Sequence, residues 1–540
     1  MKNSFRYIIV ALFLTSCYQG EDVDLIIHNA IIHTLSDGDM LYEAMAVKDG
    51  RIVELGPERQ ILNKYKAQRT INAESKHIYP GLIDAHTHII SYAEQKLSVN
   101  LFGLKTFEDV IDACKKYNEK HRYGFVLGRG WDQNLWGTEL PNNELLNTLF
   151  PNIPVCLTRV DGHAVLVNQY LLDAAGIIPN TIVEGGRIVT SSNKLTGVLV
   201  DNAIDLIKAY LPEFDQELKI ETYKKIQKEL FSFGITGVHE AGLQFQDIHF
   251  FEQLIDNHDF KINLYAMLYG SEENIEFAKK HGIYKHNNLS IRSFKALADG
   301  ALGSRGALLK KTYSDHDHHG ISVSSARDLR KLALLCLKLD YQLNTHCIGD
   351  SANAIVLDLL QKVHEVKKDH RFRIEHAQVI DSVDFDRFMA YNVIPSVQPT
   401  HATSDMLWAE KRIGQKRING AYAYKTLLEK SGLIVLGTDF PVEKPNPFLT
   451  IHAAVQRKNE NNQPESGYRM EEKLSLEETL KGMTSWPAFA SFEENDRGVL
   501  EAGKIADFVI FLHEITSENE FKPNFAWKTF LAGEEVYSED

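Results

Sequence analysis

The sequence predicts an α/β fold, either an α/β barrel or a doubly wound sheet, because two patterns alternate through the middle of the chain. Short apolar runs typical of strands are followed by segments of helical periodicity, an order that favours parallel strands joined by crossover helices. Both ends of the chain contain strand patterns without such helices. The length of 540 residues, 44% hydrophobic and 24% charged, allows a large core and more than one domain.

The first 17 residues are typical of a targeting segment. Lys2 and Arg6 precede an apolar run over residues 7–14, which is far shorter than the ~20 residues of a membrane-spanning helix and indicates a secretory signal. The run ends in Leu-Thr-Ser-Cys, and Cys17 resembles the lipidated cysteine of a bacterial lipoprotein lipobox. We therefore expect lipidation at Cys17 and a protein anchored to the bacterial cell envelope, on the periplasmic or surface face of a membrane. An ordinary signal peptide with an incidental cysteine is the alternative.

Strand patterns occur at both ends of the remaining chain. Near the start, residues 25–35 and 44–55 read as strands, and the second run contains an Asp-Gly turn. Near the end, residues 498–512 and 525–537 show alternating patterns broken by glycine. We expect a small β unit at each end.

Strand-like runs between these ends outnumber the strands of an eight-stranded barrel. One of them therefore lies outside any such barrel. The runs are residues 78–86, 125–128, 155–159, 235–239, 291–298, 342–346, 371–376, 393–397 and 434–439.

The first of these runs carries two histidines one residue apart, His86 and His88. Residues i and i+2 of a strand point to the same face, so both imidazoles project from one side, as two metal ligands would. The alternative is a pair of hydrogen-bonded histidines at a strand end.

Further polar candidates lie at the carboxyl ends of later strands. Lys295 lies in the fourth barrel strand, His346 and His376 close two others, and Asp439 closes the last. In a barrel these ends open onto one face, where the active site of this fold lies. A lone histidine is more often structural and a strand-end aspartate often caps a helix, but one site accounts for all of these residues together.

The order HxH, Lys, His, His, Asp resembles the amidohydrolase superfamily, and the local sequence resembles amidohydrolase family 3, the subgroup that includes N-substituted formamide deformylases. The matching segments are PGLIDAHTHI, VDGHAVLVN, FKALADGALGSRGALL, NTHCIGDSANA, RIEHAQ, LGTDFPVE and GVLEAGKIADFVI. The resemblance implies a metal-dependent (β/α)8 TIM barrel over residues 79–490, with a small β-sandwich formed from both termini, residues 24–78 and 491–540.

The resemblance also implies the ligands of a divalent metal. Zinc is expected, as one or two ions, although manganese, iron or cobalt also suit these ligand types. Lys295 matches a lysine that is carboxylated in related enzymes, a change that replaces a repelling ammonium with anionic oxygens. The expected ligands are His86, His88, Lys295, His346, His376 and Asp439.

The resemblance implies that a metal-activated water hydrolyses a C–N bond of the amide, N-acyl or N-formyl type. Asp439 is the expected general base, which would take the proton from water and deliver it to the leaving nitrogen. Ester or lactone hydrolysis, an isomerisation, and a lipid-anchored binding protein without turnover remain alternatives.

Three residues are candidates for substrate contacts. His163 follows a strand and lies in one of the matching segments, Trp131 could wall the pocket, and Glu240 ends another strand. Each also has a structural interpretation: a buried structural histidine, a core tryptophan and a helix-capping carboxylate.

Charge and cysteine content limit the partners. The formal net charge of −14 and the absence of clustered Lys and Arg argue against nucleic acid. We expect a small-molecule substrate and membrane contact through the lipid anchor only, and the sequence leaves open whether the chain forms a homo-oligomer. The cysteines other than Cys17 lack CxxC spacing, so a zinc–thiolate cluster is not expected and disulfides are undetermined.

Overall fold

The computed structural model describes residues 20–36, 38, 40–137, 139–517, 521 and 524–539. The predicted signal peptide, with its lipobox and Cys17, lies outside the described residues. At the centre of the fold eight parallel strands follow one another in space in chain order. These first to eighth barrel strands are Leu82–Thr87, Ile235–Leu243, Asn263–Tyr269, Leu289–Leu297, Gln342–Cys347, Arg373–His376, Ile394–Val397 and Val435–Leu436.

The barrel closes where the first and eighth strands meet. The backbone N–H of Asp439 donates to the carbonyl of His86 (2.8 Å), and the hydroxyl of Thr438 donates to Asp84 (2.6 Å). A Cβ on Gly437 would lie 2.6 Å from the backbone nitrogen of His86, so only glycine permits this close approach. The predicted α/β barrel is confirmed, and the doubly wound sheet is excluded.

Two predicted strands, residues 125–128 and 155–159, do not belong to the barrel. They lie in a separate six-stranded sheet, which the chain forms between the first and second barrel strands. The third barrel strand, Asn263–Tyr269, was not predicted, because a continuous apolar run does not distinguish a buried strand from a buried helix. The strands of this inserted sheet are Val99–Asn100, Val126–Trp131, Val155–Arg159, Ala164–Val167, Gly186–Ser191 and Lys194–Asp201.

The two ends of the chain form two further sheets that pack together. One has four strands, Glu21–His28, Ala44–Lys48, Arg51–Gly56 and Tyr65–Asn72. The other combines both ends in Ile31–His33, Leu41–Tyr42, His77–Pro80, Phe508–Phe511, Ala526–Leu531 and Glu534–Ser538. A common apolar core includes Ile27 from the first sheet and Ile78 and Phe508 from the second.

The pairing that joins the two ends is antiparallel, between His77–Pro80 and Phe508–Phe511. The predicted β unit from both termini is thereby confirmed, whereas the exact domain boundaries stay a prediction. The strand pattern predicted from residue 498 begins only at Phe508.

Helices surround the barrel with their apolar sides on its core. Ala326–Leu339 is a typical example, because the side chain of Ser325 caps its first turn by accepting from the backbone N–H of Asp328, and Asp340 ends it in the left-handed conformation. The α-helices are Glu58–Lys64, Ile89–Leu97, Phe107–His121, Glu144–Leu149, Gln169–Ala174, Asp205–Lys208, Gln216–Ser232, Phe245–Asp256, Glu272–His281, Ala326–Leu339, Asp350–Val366, Phe385–Ala390, Pro399–Asp405, Ala409–Ile418, Tyr424–Ser431, Pro447–Gln456, Leu476–Gly482 and Ser485–Ala490.

Short elements complete the fold. Tyr284–His286 pairs antiparallel with the fourth barrel strand, and the 3₁₀ turns are Gln133–Leu135, Asn202–Ile204 and Met470–Glu472. Within the described ranges, none of the helices combines the length and apolarity that crossing a bilayer requires. The cysteines in these ranges, Cys114, Cys156, Cys336 and Cys347, are buried free thiols.

Candidate metal centre

Three side chains from distant parts of the barrel converge at its carboxyl face. His86, His376 and Asp439 each offer one ligand atom, and these atoms lie within 4.8 Å of one another. His86 belongs to the first strand, His376 ends the sixth, and Asp439 follows the eighth. All three residues are buried. The parallel barrel therefore brings together the side chains that strand-end position predicted.

The backbone is strained at two of these residues. His376 has φ of 70° and Asp439 has φ of 61°, values in the left-handed region that non-glycine residues seldom adopt. Such conformations persist where surrounding structure holds them, and they concentrate at functional sites.

The remaining predicted ligands surround this group. His88 lies with Nε2 3.3 Å from Oδ1 of Asp439, and Lys295 lies with Nζ 3.2 Å from Nε2 of His86. The ring of His346 lies 4.6 Å from the ring of His376, centroid to centroid. All six predicted ligands thus meet in one place.

The donor set fits a divalent cation. Nε2 of His346 is buried and has no hydrogen-bond partner among the described residues, a costly state that a cation would relieve. Oδ1 of Asp439 is also buried, and the imidazoles of His88 and His86 face it at 3.3 and 3.6 Å. Neutral imidazoles and a carboxylate are the ligand types that zinc and related ions take.

Electrostatics keeps these groups in the protonation states that metal binding needs. Burial lowers the pKa values of His86, His346 and His376, so their ring nitrogens stay available as ligands. Burial alone would raise the pKa of Asp439, but His86 and His88 outweigh it and hold that pKa well below its usual value. The carboxylate is therefore ionised at neutral pH.

A carboxylate that sequence reasoning missed orients His86. Oε2 of Glu375 lies 2.5 Å from Nδ1 of His86, and both side chains are fully buried. The Nε group of Arg373 holds the other carboxylate oxygen at 2.7 Å. With Nδ1 engaged, Nε2 of His86 is directed toward the centre. The signal was present in RFRIEH, where Arg373 and Glu375 are charged residues two apart on one face of a buried strand.

Two more missed residues follow the seventh barrel strand. Oε1 of Gln398 lies 2.7 Å from Nδ1 of His376, which directs Nε2 of that ring inward. His401, on the helix Pro399–Asp405, has Nε2 3.7 Å from Oδ2 of Asp439. Because residues 393–397 were predicted as a strand, the strand-end argument applied to His376 would also have found these two side chains.

His163 reaches the centre from the inserted sheet. Its ring lies 5.0 Å from that of His346, and its Nδ1 lies 2.7 Å from Oδ1 of Asp201. Burial alone would lower the pKa of His163, but the hydrogen bond and charge of Asp201 outweigh it, so the pKa is raised.

Two residues predicted to contact substrate lie elsewhere, and we correct both predictions. Trp131 is 1% exposed and its Nε1 donates to the carbonyl of Leu157 (2.7 Å), because its large apolar ring packs in the core of the inserted sheet. Glu240 is also buried, and its Oε2 accepts from the backbone N–H of Ile89 (2.6 Å). It caps the helix Ile89–Leu97, where a carboxylate is favourable.

A cavity of about 720 Å³ opens over the centre, a size that suits a small-molecule ligand. The inserted sheet and its loops supply one wall, which includes Arg129, Arg159 and His163. The barrel supplies the opposite wall, including His88, Lys295, His346, His376 and Asp439.

A second histidine group lies away from this cavity. His33 and His77 from the terminal sheet lie near Glu514, with Nε2 of His33 2.9 Å from Nδ1 of His77. These side chains are less buried than those of the barrel centre. The barrel group faces the cavity of about 720 Å³.

Comparisons with known proteins agree with this geometry. The sequence profile described as "Amidohydrolase family" matches residues 69–537. The chain is 32% identical to the putative amidohydrolase YtcJ of Bacillus subtilis (89% of this chain, 93% of that protein) and 23% identical to the N-substituted formamide deformylase of Arthrobacter pascens (90% and 93%). The fold matches an uncharacterized metal-dependent hydrolase from Pyrococcus horikoshii with a TM-score of 0.74 at 24% identity, covering 91% of this chain and 97% of that one.

Proposed function

Because this chain belongs to the amidohydrolase family, we propose that it hydrolyses a C–N bond of the amide, N-acyl or N-formyl type in a small molecule. The observation that carries the proposal is the convergence of His86, His376 and Asp439 beneath a cavity of about 720 Å³. The name of the N-substituted formamide deformylase, a relative over 90% of the chain, supports the type of bond.

We propose zinc as the metal, held by the imidazoles of the centre and by Asp439. When bound, a divalent ion supplies Lewis acidity toward a carbonyl oxygen and toward water. The Nζ of Lys295, 3.2 Å from Nε2 of His86, would repel that ion as an ammonium. Carboxylation of Lys295 would give the same position anionic oxygens.

Asp439 is the proposed general base. Its pKa is held low, so it is ionised at neutral pH, and its Oδ1 faces Nε2 of His88 at 3.3 Å and Nε2 of His86 at 3.6 Å. It can take a proton from the attacking water and pass it to the nitrogen that leaves when the C–N bond breaks.

His163 is the proposed donor to the substrate carbonyl oxygen. It lines the cavity opposite the barrel, and the contact between its Nδ1 and Asp201 (2.7 Å) leaves Nε2 as the atom that can face a substrate. The raised pKa of His163 favours the protonated form, which is the form that donates at both nitrogens.

Matched substrates test the proposal. Zinc-loaded protein is incubated with N-formyl and N-acetyl amines and with esters of the same acyl groups, and products are measured by mass spectrometry. Amine release that stops on chelation supports C–N hydrolysis. Cleavage of esters alone would favour ester or lactone chemistry instead. Binding of both series without any turnover would make the chain a binding protein.

A further inference from the structure

The side chain of Arg129, on a strand of the inserted sheet, lines the cavity. It lies in the strand Val126–Trp131, and pairing with the neighbouring strand shifts register between Arg129 and Trp131. Such an irregularity re-aims a side chain. The next residue, Gly130, has φ of +114°, and a Cβ there would lie 2.2 Å from the ring of Phe102. The backbone at Arg129 is therefore held in a form that only glycine at position 130 allows.

The guanidinium of Arg129 has no partner among the described residues. In the part of the chain that the structure describes it forms no ion pair or side-chain hydrogen bond, and its Nε is buried without an acceptor. Arg159, on the next strand, contrasts with it. Its guanidinium lies 2.6 Å from Asp132 and 2.5 Å from Asp161. Arg159 is thus paired with two carboxylates, whereas Arg129 has no acidic partner among the described residues.

Nearby acidic groups do not pair with the guanidinium of Arg129. Glu94, Asp439 and Asp161 act on Arg129 through space and raise its pKa, whereas burial, the larger effect, lowers it. None of the three forms an ion pair with it in the described ranges. A guanidinium stays charged at neutral pH. Arg129 is half-buried, and a partly desolvated charge without a partner costs free energy. Its retention beside a cavity indicates that a ligand completes the pairing.

The surroundings leave room for an anion. A Cβ on Gly162 would lie 3.1 Å from Nη2 of Arg129, so the loop passes this edge of the guanidinium without a side chain. Tyr269, at the end of the third barrel strand, lines the same cavity. Its hydroxyl has no hydrogen-bond partner within the described residues, and burial raises its pKa, so it remains a donor.

We propose that Arg129, together with Tyr269 of the same cavity, forms a subsite for a carboxylate of the substrate, so that the scissile C–N bond belongs to a carboxylate-bearing amide such as an N-acyl amino acid. The planar fork of arginine matches a carboxylate with two parallel hydrogen bonds. This inference rests on the proposed function for the bond that is cleaved, and it adds the anionic group that the same cavity recognises.

Binding of probes that cannot be hydrolysed tests the subsite separately from turnover. The probes are N-methylsulfonyl derivatives of glycine, leucine and phenylalanine, in which a sulfonyl replaces the amide carbonyl, together with the alcohols in which CH₂OH replaces the carboxylate. Titration calorimetry on zinc-loaded full-length protein should show that at least one acid binds about 10- to 100-fold more tightly than its alcohol, the scale of charge-assisted hydrogen bonds. Equal affinity across all three pairs would overturn the proposal.

Variants test whether Arg129 causes the preference for the acid over the alcohol. Arg129→Gln should abolish the preference for the acid, and Arg129→Lys, which keeps the charge but not the fork, should restore only part of it. Lys208→Gln is the matched control, because Lys208 lines the same cavity but is already paired with Asp205 at 2.6 Å. It should change the preference less than threefold. An equal loss in Arg129→Gln and Lys208→Gln would mean that general charge attraction, and no subsite, selects the acid.

Stability separates a binding role from a structural one. Because Arg129 forms no partner in the described chain, Arg129→Gln should leave the thermal midpoint of the ligand-free protein unchanged or raise it. A lower midpoint together with an unchanged acid preference would make Arg129 a structural residue. If the acid preference holds but no amide is ever hydrolysed, the proposed function fails while the anion subsite stands.

Discussion

Oε2 of Glu375 lies 2.5 Å from Nδ1 of His86, across 289 residues of sequence. The carboxylate holds the imidazole in one orientation and makes it a stronger metal ligand. Arg373 in turn holds Glu375. Metal binding at the centre should therefore depend on a residue that does not itself touch the metal.

Glu375→Gln should weaken zinc binding by about 10- to 100-fold, the usual effect of losing such a partner. Competition with a fluorescent chelator measures the affinity. Glu443→Gln is the matched control, because Glu443 lines the same cavity, accepts from Ser404 (2.7 Å) and forms no ion pair with a histidine in the described part of the chain. If both variants bind zinc as tightly as the parent, the orienting role of Glu375 is refuted.

Removing the metal should abolish hydrolysis, and zinc or manganese should restore it. His376→Asn should lower the metal content measured by elemental analysis and remove activity, because it deletes one of the three converging ligands. His77→Asn changes the histidine group outside the cavity and should leave activity unchanged. A fully active preparation without metal would contradict the mechanism.

Asp439→Asn should reduce kcat by roughly a hundredfold or more, the scale of general-base loss. Metal content has to be measured in the same preparation, because this carboxylate is also a candidate ligand. Parental turnover in a variant that retains its metal would show that Asp439 is not the base.

Asp405 should make the protein less stable as the pH rises. Burial raises its pKa from an ordinary value of 3.8 to about 7, so between these pH values the folded state holds a proton that the unfolded state releases. Stability falls across this range. Asp405→Asn mimics the protonated form and can still accept from Tyr422 (2.8 Å). It should raise the free energy of unfolding at pH 8 by up to about 4 kcal/mol and change it little at pH 4.

The matched control, Asp381→Asn, should change the stability at pH 8 in the opposite direction. A hydrogen bond from Lys310 lowers the pKa of Asp381, so this carboxylate stabilises the folded state above its unfolded pKa. Asp381→Asn should therefore lower the thermal midpoint at pH 8. Parallel thermal melts at pH 4 and pH 8 compare the two variants. A destabilised Asp405→Asn at pH 8 would contradict the assignment.

Cys17→Ser should release the protein from membranes, because a lipid chain on Cys17 is the proposed anchor to the cell envelope. Membrane fractionation and mass spectrometry of the mature N-terminus measure the outcome. Identical fractionation of parent and variant, without acyl chains on the parent, would refute the lipoprotein prediction.

Much of the metal centre could be predicted from the chain alone. His86, His376 and Asp439 stand at the ends of apolar runs, and this local pattern indicates the mouth of a parallel barrel. Gln398 and His401 carried the same signal and were missed. The predicted substrate contacts of Trp131 and Glu240 were wrong, because a large ring and a strand-end carboxylate occur as often in cores and helix caps as in pockets.

The sequence by itself determined the α/β class, most of the barrel strands and the six candidate ligands, because hydrophobic periodicity and strand-end position are local properties. Only the tertiary structure decided that residues 125–128 and 155–159 form an inserted sheet, and that this sheet brings His163 and Arg129 to the barrel mouth. It also decided the contact of Glu375 with His86. Which distant side chains meet depends on how the elements pack. The sequence of a short buried strand does not indicate which sheet that strand joins.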